Sequence, residues 1–427
     1  MSYDIGDAPT MVIGRVAPPI RRRRRWPWLV GVLLTLLLLA GVGYAVAPLR
    51  AALPAPTVEL TLPTTMTIPG KAPKLPWPAH GQAMITVEGV GTVGTSGDAT
   101  PLPIGSVAKV MTAYVILTEH PLKAGEQGPK LTVSAERAAA YPAEKRRGES
   151  LVGVEAGEVI TERQALQALL LPSANNMARV LADWDAGGEE AFADKMNETA
   201  ADLGMTDTHY SDPSGLDAKT VSTARDQVIL ASKAMRLPAF AEIVKQKQAT
   251  IPVAGRVENY NELVGRDGVV GVKTGSTDEA GGCLSFAAVV KVGGRQIRIV
   301  GAVLGQPGAD TPVQLDRVFA ATRSLLRATT AALDVHTLVE AGEQVATVRS
   351  PLGAGTTLRA TEAIEVVGWP GLEVPLKAEI PVLPAGIAAG ATHGQVTTGT
   401  GKPVTTALHA DAAIEPPSAW DRIVAHR

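Results

Sequence analysis

The pattern of apolar and polar positions divides the chain into stretches of different character. An uncharged apolar run from Trp28 to Leu49 contains 22 residues. As a helix it would rise about 33 Å, against a hydrocarbon core of about 30 Å, so it predicts a membrane-crossing helix. Residues 50–80 sustain neither a period of 2 nor one of 3.6, and their Pro and Thr content predicts a semi-extended tether. From Gly81 to Asp98 the apolar residues alternate around Gly-containing turns, the pattern of a β-hairpin. Helical spacing follows at Ser106–His120, Thr161–Leu171, Asn175–Asp183, Gly188–Leu203 and Thr223–Ala234. Strand-like runs occupy Gly268–Gly305, with a hairpin turn at Gly293-Gly294, and a long helix is predicted over Thr311–Leu333.

Strands at both ends of residues 81–333 with helices between them predict an α+β domain, an antiparallel sheet carrying a helical cluster. Beyond Asp334 short apolar runs are broken at brief intervals by Gly, Pro and Thr, so residues 334–427 read as a small β-rich C-terminal domain.

Charge sets the compartment. The apolar run is preceded by five arginines, Arg21 to Arg25. The positive-inside rule makes residues 1–27 a cytoplasmic basic segment and residues 28–49 a signal anchor, with the remainder outside the membrane. A cleaved signal peptide is the competing reading. Ala45-Val46-Ala47 offers a small-residue site, but Pro48 follows it directly and the run exceeds the usual 7–15 residues of a signal core. With 40 Lys and Arg against 42 Asp and Glu the net charge is -2, which gives no reason to expect a nucleic-acid partner. The single cysteine, Cys283, excludes an intramolecular disulfide and reads as a small core residue of a strand. The seven histidines show no metal-ligand spacing, and neither a metal nor another cofactor is expected.

Three short motifs stand in order within residues 81–333: Ser106-Val107-Ala108-Lys109, Ser173-Ala174-Asn175 and Lys273-Thr274-Gly275. At residue frequencies of roughly 5–7% a chain this long holds a Ser-x-x-Lys once or twice by chance, and a Lys-Thr-Gly perhaps one time in ten. Each occurs once here, and their joint presence in one predicted domain outweighs separate readings as two helix caps and a solvated lysine. The chemistry explains the spacing. A serine hydroxyl needs a base to become a nucleophile, and a lysine three residues on along a helix can reach it if burial and a second cation strip its proton. Lys273 would supply that cation, Ser173 would relay a proton to a leaving amine, and Asn175 would orient Lys109 and a substrate amide. Lys273 and Thr274 could hold a carboxylate on an edge strand that Gly275 leaves open. The backbone N–H groups of Ser106 and Ser276 are the expected oxyanion donors.

In this motif set the chain resembles the penicillin-recognising serine enzymes. The phrases LLLPSANN, ADLGMTDTHYSDPSGL, STARD and NYNELVGRDGVVGVKTGSTDEAGGCLSF make it similar, more narrowly, to the serine-type D-alanyl-D-alanine carboxypeptidases, the low-molecular-mass penicillin-binding proteins. The resemblance implies a β-lactamase/transpeptidase-like fold and a bacterial cell-membrane location. It implies acylation of Ser106 by a peptidoglycan stem peptide, release of the terminal D-Ala, β-lactam inhibition, and a carboxylate grip by Lys273, Thr274 and Ser276. Ala174 stands where the family usually has Gly, Asn176 where it has Asp, and Ser276 where Tyr or His is commoner.

A serine β-lactamase shares the motifs, but its usual Glu with an Asn four residues on is missing: Glu198, Glu242 and Glu258 each lack that partner. A non-catalytic module that binds wall peptides or β-lactams predicts loss of a reacting residue, and none is lost. Ser214, with His209 and Asp212 nearby, lies in what reads as a turn-rich loop. Glu144–Ser150, EKRRGES, reads as a solvated loop, with contact to an anionic polymer as the alternative.

Overall fold

A computed structural model describes residues 26–50, 55–399 and 403–424. Trp26–Arg50 is one helix, and its segment Trp26–Ala47 has a mean hydropathy of 2.4 with none of it buried, long and apolar enough to cross a membrane. Arg21–Arg25, on which the cytoplasmic assignment of residues 1–27 rests, lies outside the described residues.

The region carrying the three motifs is built on a five-stranded antiparallel sheet in the spatial order Val269–Thr277, Gly281–Val292, Arg295–Gln306, Gln82–Val87, Gly91–Ser96. Its first and last strands come from opposite ends of the sequence segment, as the α+β reading requires. The two middle strands are buried on both faces and therefore read as nearly continuous apolar runs. Their side chains alternate between two cores. Cys283, Ala287, Val300 and Ala302 face the helical cluster, whereas Leu284, Phe286, Ile299 and Val303 pack with Val318, Leu325 and Leu326 of the helix Thr311–Ala332.

The helices on the first face are Lys109–Glu119, Ala135–Arg146, Glu162–Leu170, Asn175–Ala186, Glu189–Asp202, Ala224–Ala234 and Pro238–Val244. Their starts follow local chemistry: Ser134, Thr161 and Thr223 each accept from a backbone N–H three residues on, and Gln164 completes a capping box with Thr161. Two of these helices, Ala135–Arg146 and Pro238–Val244, were not expected from the sequence. The first carries Pro142 and buries only Glu144 fully, so it has no apolar stripe to read. The second is only 7 residues long.

Residues 334–410 form the expected β-rich region, but its main sheet is not self-contained. The seven-stranded order is Thr57–Leu60, Gln344–Arg349, Gly355–Ala360, Thr405–Ala410, Thr392–Thr398, Glu373–Glu379, Thr65–Thr67. The expected tether thus supplies both edge strands, and the reading of residues 50–80 as a linker fails over Thr57–Thr67. All four side chains of Thr57–Leu60 are exposed, so the strand is held by backbone pairing and shows no apolar alternation. Ile68, fully buried, and Leu62 plug the core of this region.

Candidate active site

Ser106 lies in a 3-10 turn, Gly105–Ala108, that runs straight into the helix Lys109–Glu119. Residues three apart there lie on one face, and the Lys109 Nζ sits 2.7 Å from Ser106 Oγ. The same nitrogen is 2.7 Å from Asn175 Oδ1 and 2.9 Å from the Ser214 carbonyl oxygen. Both of those oxygens can only accept. A neutral amine has two N–H donors and one lone pair, so with both donors so engaged its lone pair faces the Ser106 hydroxyl.

The environment favours that neutral form. Lys109 is fully buried, and burial first, then the Lys273 ammonium, push its pKa well below the ordinary lysine range. Arg179 acts in the same direction, while Asp212 and Glu149 oppose it. Lys273 is itself brought down to about 7 by burial, and its Nζ donates to the Thr274 carbonyl at 2.9 Å.

Lys273, Thr274, Gly275 and Ser276 lie on Val269–Thr277, the edge strand of the sheet, running flush against the 3-10 turn. A Cβ on Gly275 would stand 2.6 Å from the Ile104 carbonyl oxygen and 3.1 Å from the Ser106 nitrogen. One on Gly105 would stand 3.2 Å from the Ser276 nitrogen. The turn and the edge strand therefore approach backbone on backbone beside the amides of Ser106 and Ser276, an approach that a side chain at Gly275 would obstruct. The Ser276 hydroxyl bonds Gln314 Oε1 and lies 3.2 Å from Thr311 Oγ1, both on the helix that covers the opposite face of the sheet.

Ser173 and Asn175 arrive through a sharp turn at the start of the helix Asn175–Ala186. Ser173 has φ of 64° and is buried. The turn is pinned by backbone bonds from Ala174 N to Ala168 O and from Asn175 N to Ser150 O. Asn176 is used structurally: its amide donates to the Val152 carbonyl and accepts from the Val152 N–H, a pairing a carboxylate could not complete. Of the eight residues singled out from the sequence, Ser106 and Asn175 are each bonded to Lys109, and Lys273 to the Thr274 carbonyl. Ser173 Oγ has no hydrogen-bond partner among the described residues.

Two contributors escaped the sequence reading. The loop carrying Ser214 is ordered by Asp212, whose carboxylate accepts from Ser214 N, Ser214 Oγ, Leu216 N and Thr220 Oγ1, and this holds the Ser214 carbonyl on Lys109. The signal was the Asp-Pro-Ser-Gly run, a turn former that the text alone could not place beside Lys109. The solvated reading of Glu144–Ser150 holds for the exposed Lys145, Arg146, Arg147 and Gly148 but is corrected at Glu144 and Glu149. The Glu149 side chain is 2% exposed and accepts from Asn175 Nδ2 at 3.1 Å. Cys283 is buried, with its thiol pushed up to about 12 by burial, consistent with a core role. Among the described residues one group, Glu119, His120 and Asp185, gathers possible metal-ligand atoms, but the Lys195 ammonium already lies 2.8 Å from carboxylate oxygens of both acids.

Residues 73–308 match the family model of D-alanyl-D-alanine carboxypeptidases. The chain is 37% identical over 204 residues to the D-alanyl-D-alanine carboxypeptidase DacB2 of Mycobacterium tuberculosis, covering 46% of this chain and 65% of that protein. It is 33% identical over 271 residues to a D-alanyl-D-alanine carboxypeptidase of Streptomyces sp. strain K15, covering 60% of this chain and 88% of the relative. Penicillin binding protein 5 from Haemophilus influenzae shares the fold, at a TM-score of 0.56 and 21% identity over 81% of this chain and 99% of its own. With more than half of its length matched by the family model and most of a curated member covered, the chain belongs to the D-alanyl-D-alanine carboxypeptidase family of peptidases.

Proposed function

We propose that the protein removes the terminal D-Ala from peptidoglycan stem peptides through an acyl-enzyme on Ser106. The observation that carries this is the Lys109 amine, buried and 2.7 Å from Ser106 Oγ, with its N–H groups taken up by Asn175 and Ser214. Lys109 takes the Ser106 proton as Oγ attacks the penultimate D-Ala carbonyl. The backbone N–H groups of Ser106 and Ser276 face the developing oxyanion. Collapse breaks the amide bond, and Ser173 passes a proton to the departing D-Ala amine. Water then hydrolyses the ester. Lys273, Thr274 and Ser276 grip the terminal carboxylate of the substrate, and the bare Gly275 lets the peptide lie along the edge strand. A β-lactam carries the same carboxylate beside a strained amide and would acylate Ser106 in the same way.

The apolar helix Trp26–Arg50 supports a single-pass membrane anchor, with the catalytic region on the outer side of the bacterial cell membrane. Incubation with a fluorescent penicillin and with a peptide ending in D-Ala-D-Ala tests the reading. Stable labelling and D-Ala release, both lost in Ser106→Ala, are expected. Neither adduct nor D-Ala release in the wild type overturns it, and rapid turnover of the penicillin adduct would favour a β-lactamase instead.

A further inference from the structure

We infer that Glu149 is a positioning residue that fixes the orientation of the Asn175 amide and thereby keeps the Lys109 lone pair directed at Ser106. This rests on the assignment of Lys109 as base and deepens it. The Glu149 carboxylate is placed by three groups besides Asn175 Nδ2. Arg179 Nη2 is 2.9 Å from Oε2, and Arg147 contributes Nε at 3.0 Å and Nη2 at 2.7 Å to Oε1. Arg179 lies on the same helix as Asn175 and is braced in turn by Glu144 at 2.9 Å.

The logic is one of donors and acceptors. A carboxylate only accepts, so the Asn175 nitrogen must turn toward Glu149, which leaves Oδ1 for Lys109. With the amide turned over, Nδ2 would donate to the Lys109 lone pair and occupy the electrons that must take the Ser106 proton. The pair Glu149 and Arg179 also acts through charge. The charged groups facing Lys109 are Lys273 on the edge strand, Asp212 in the loop before Ser214, Arg179 on the Asn175 helix and Glu149 in the loop after Ala135–Arg146. Glu149 favours the protonated lysine and Arg179 opposes it, so the two act in opposite directions at the base.

The two effects separate in the pH dependence of Ser106 acylation by a fluorescent penicillin, measured on the full chain in detergent. The plateau rate reads orientation, and the midpoint of the acid limb reads the charge around Lys109. Glu149→Ala is expected to lower the plateau about tenfold or more. Glu149→Gln, whose carbonyl can still accept from Asn175, is expected to restore the plateau to within about threefold while moving the acid limb to lower pH. Arg179→Met, which removes the positive charge that lowers the Lys109 pKa, is expected to move that limb to higher pH. Opposite displacements in the two charge variants are what a merely structural role would not produce. A plateau in Glu149→Ala equal to the wild type, or acid limbs of Glu149→Gln and Arg179→Met that coincide with it, overturns the inference. Absence of any adduct on the wild-type protein overturns instead the assignment of Lys109 and Ser106 on which it stands.

Discussion

Gly215 packs directly against the carbonyl group of Gly105: at its φ of +77° a side-chain carbon would fall inside that carbonyl and within 2.9 Å of the Ala108 methyl. The loop that presents the Ser214 carbonyl to Lys109 and the turn that presents Ser106 are therefore locked together, backbone on backbone. Gly215→Ala must displace one of them and also holds alanine in the left-handed region, for a cost of about 2 kcal/mol or more. The expected result is a lowered melting temperature together with at least a tenfold loss of penicillin labelling. Wild-type labelling in a fully folded Gly215→Ala protein would show that the two segments are not coupled.

Lys273 gives a pH signature on the alkaline side. Burial lowers its pKa to about 7, so its positive charge is present below that value and is lost as the pH rises through it. Since kcat/KM reports the free enzyme, its value for a peptide with a free C-terminal carboxylate is expected to fall above about pH 7. A peptide ending in a carboxamide should lack this limb. Lys273→Arg, which stays charged throughout, should flatten the limb while lowering the maximum, because a planar guanidinium does not replace an ammonium in a closed site. An unchanged limb in Lys273→Arg would assign it to another group.

Glu162 carries a stability signature distant from the catalytic chemistry. Its side chain is fully buried, neither carboxylate oxygen has a hydrogen-bond partner among the described residues, and burial, then Glu126, push its pKa up from 4.5 to about 7. The folded state holds this proton more tightly than the unfolded chain, so stability falls as the pH rises from about 4.5 to 7 and the loss is complete above that window. Glu162→Gln removes the titration. The variant's stability relative to the wild type is expected to grow between pH 4 and pH 8 by about 1–3 kcal/mol. Denaturant unfolding at the two pH values measures it, and a difference independent of pH would refute the assignment.

The strands of residues 57–67 predict where the folded unit begins. A chain starting at Ala55 keeps Thr57–Leu60 on Gln344–Arg349 and Thr65–Thr67 on Glu373–Glu379. A chain starting at His80 loses both, along with the buried Ile68 and Leu62. Removing those two side chains alone is worth about 3–5 kcal/mol, and it leaves two unpaired sheet edges. The shorter chain is expected to melt earlier and to associate through the exposed edges, seen by thermal denaturation and size-exclusion chromatography. Identical behaviour of the two chains would mean that the β-rich region is stable without its N-terminal strands.

What the amino-acid order determines here is local. The helical turn Gly105–Ala108, running into the helix Lys109–Glu119, brings Ser106 within reach of Lys109 because residues three apart share a face, and that much can be read from four letters. The helices Glu162–Leu170 and Asn175–Ala186 and the hairpin of Gly281–Val292 with Arg295–Gln306 were legible for the same reason, since their periodicities are set by neighbouring residues. The three motifs could be recognised as a set, but the text held no distance between them. Tertiary structure supplied what depends on partners far along the chain. It put the Ser214 carbonyl, 105 residues from Lys109, on the amine. It turned a charged stretch that looked solvated into a buried carboxylate on Asn175, and a Thr- and Pro-rich tether into two sheet edges. Backbone acceptors, edge pairing and desolvated charge leave no periodic trace in a sequence, because each is satisfied by a group whose position only the folded chain fixes.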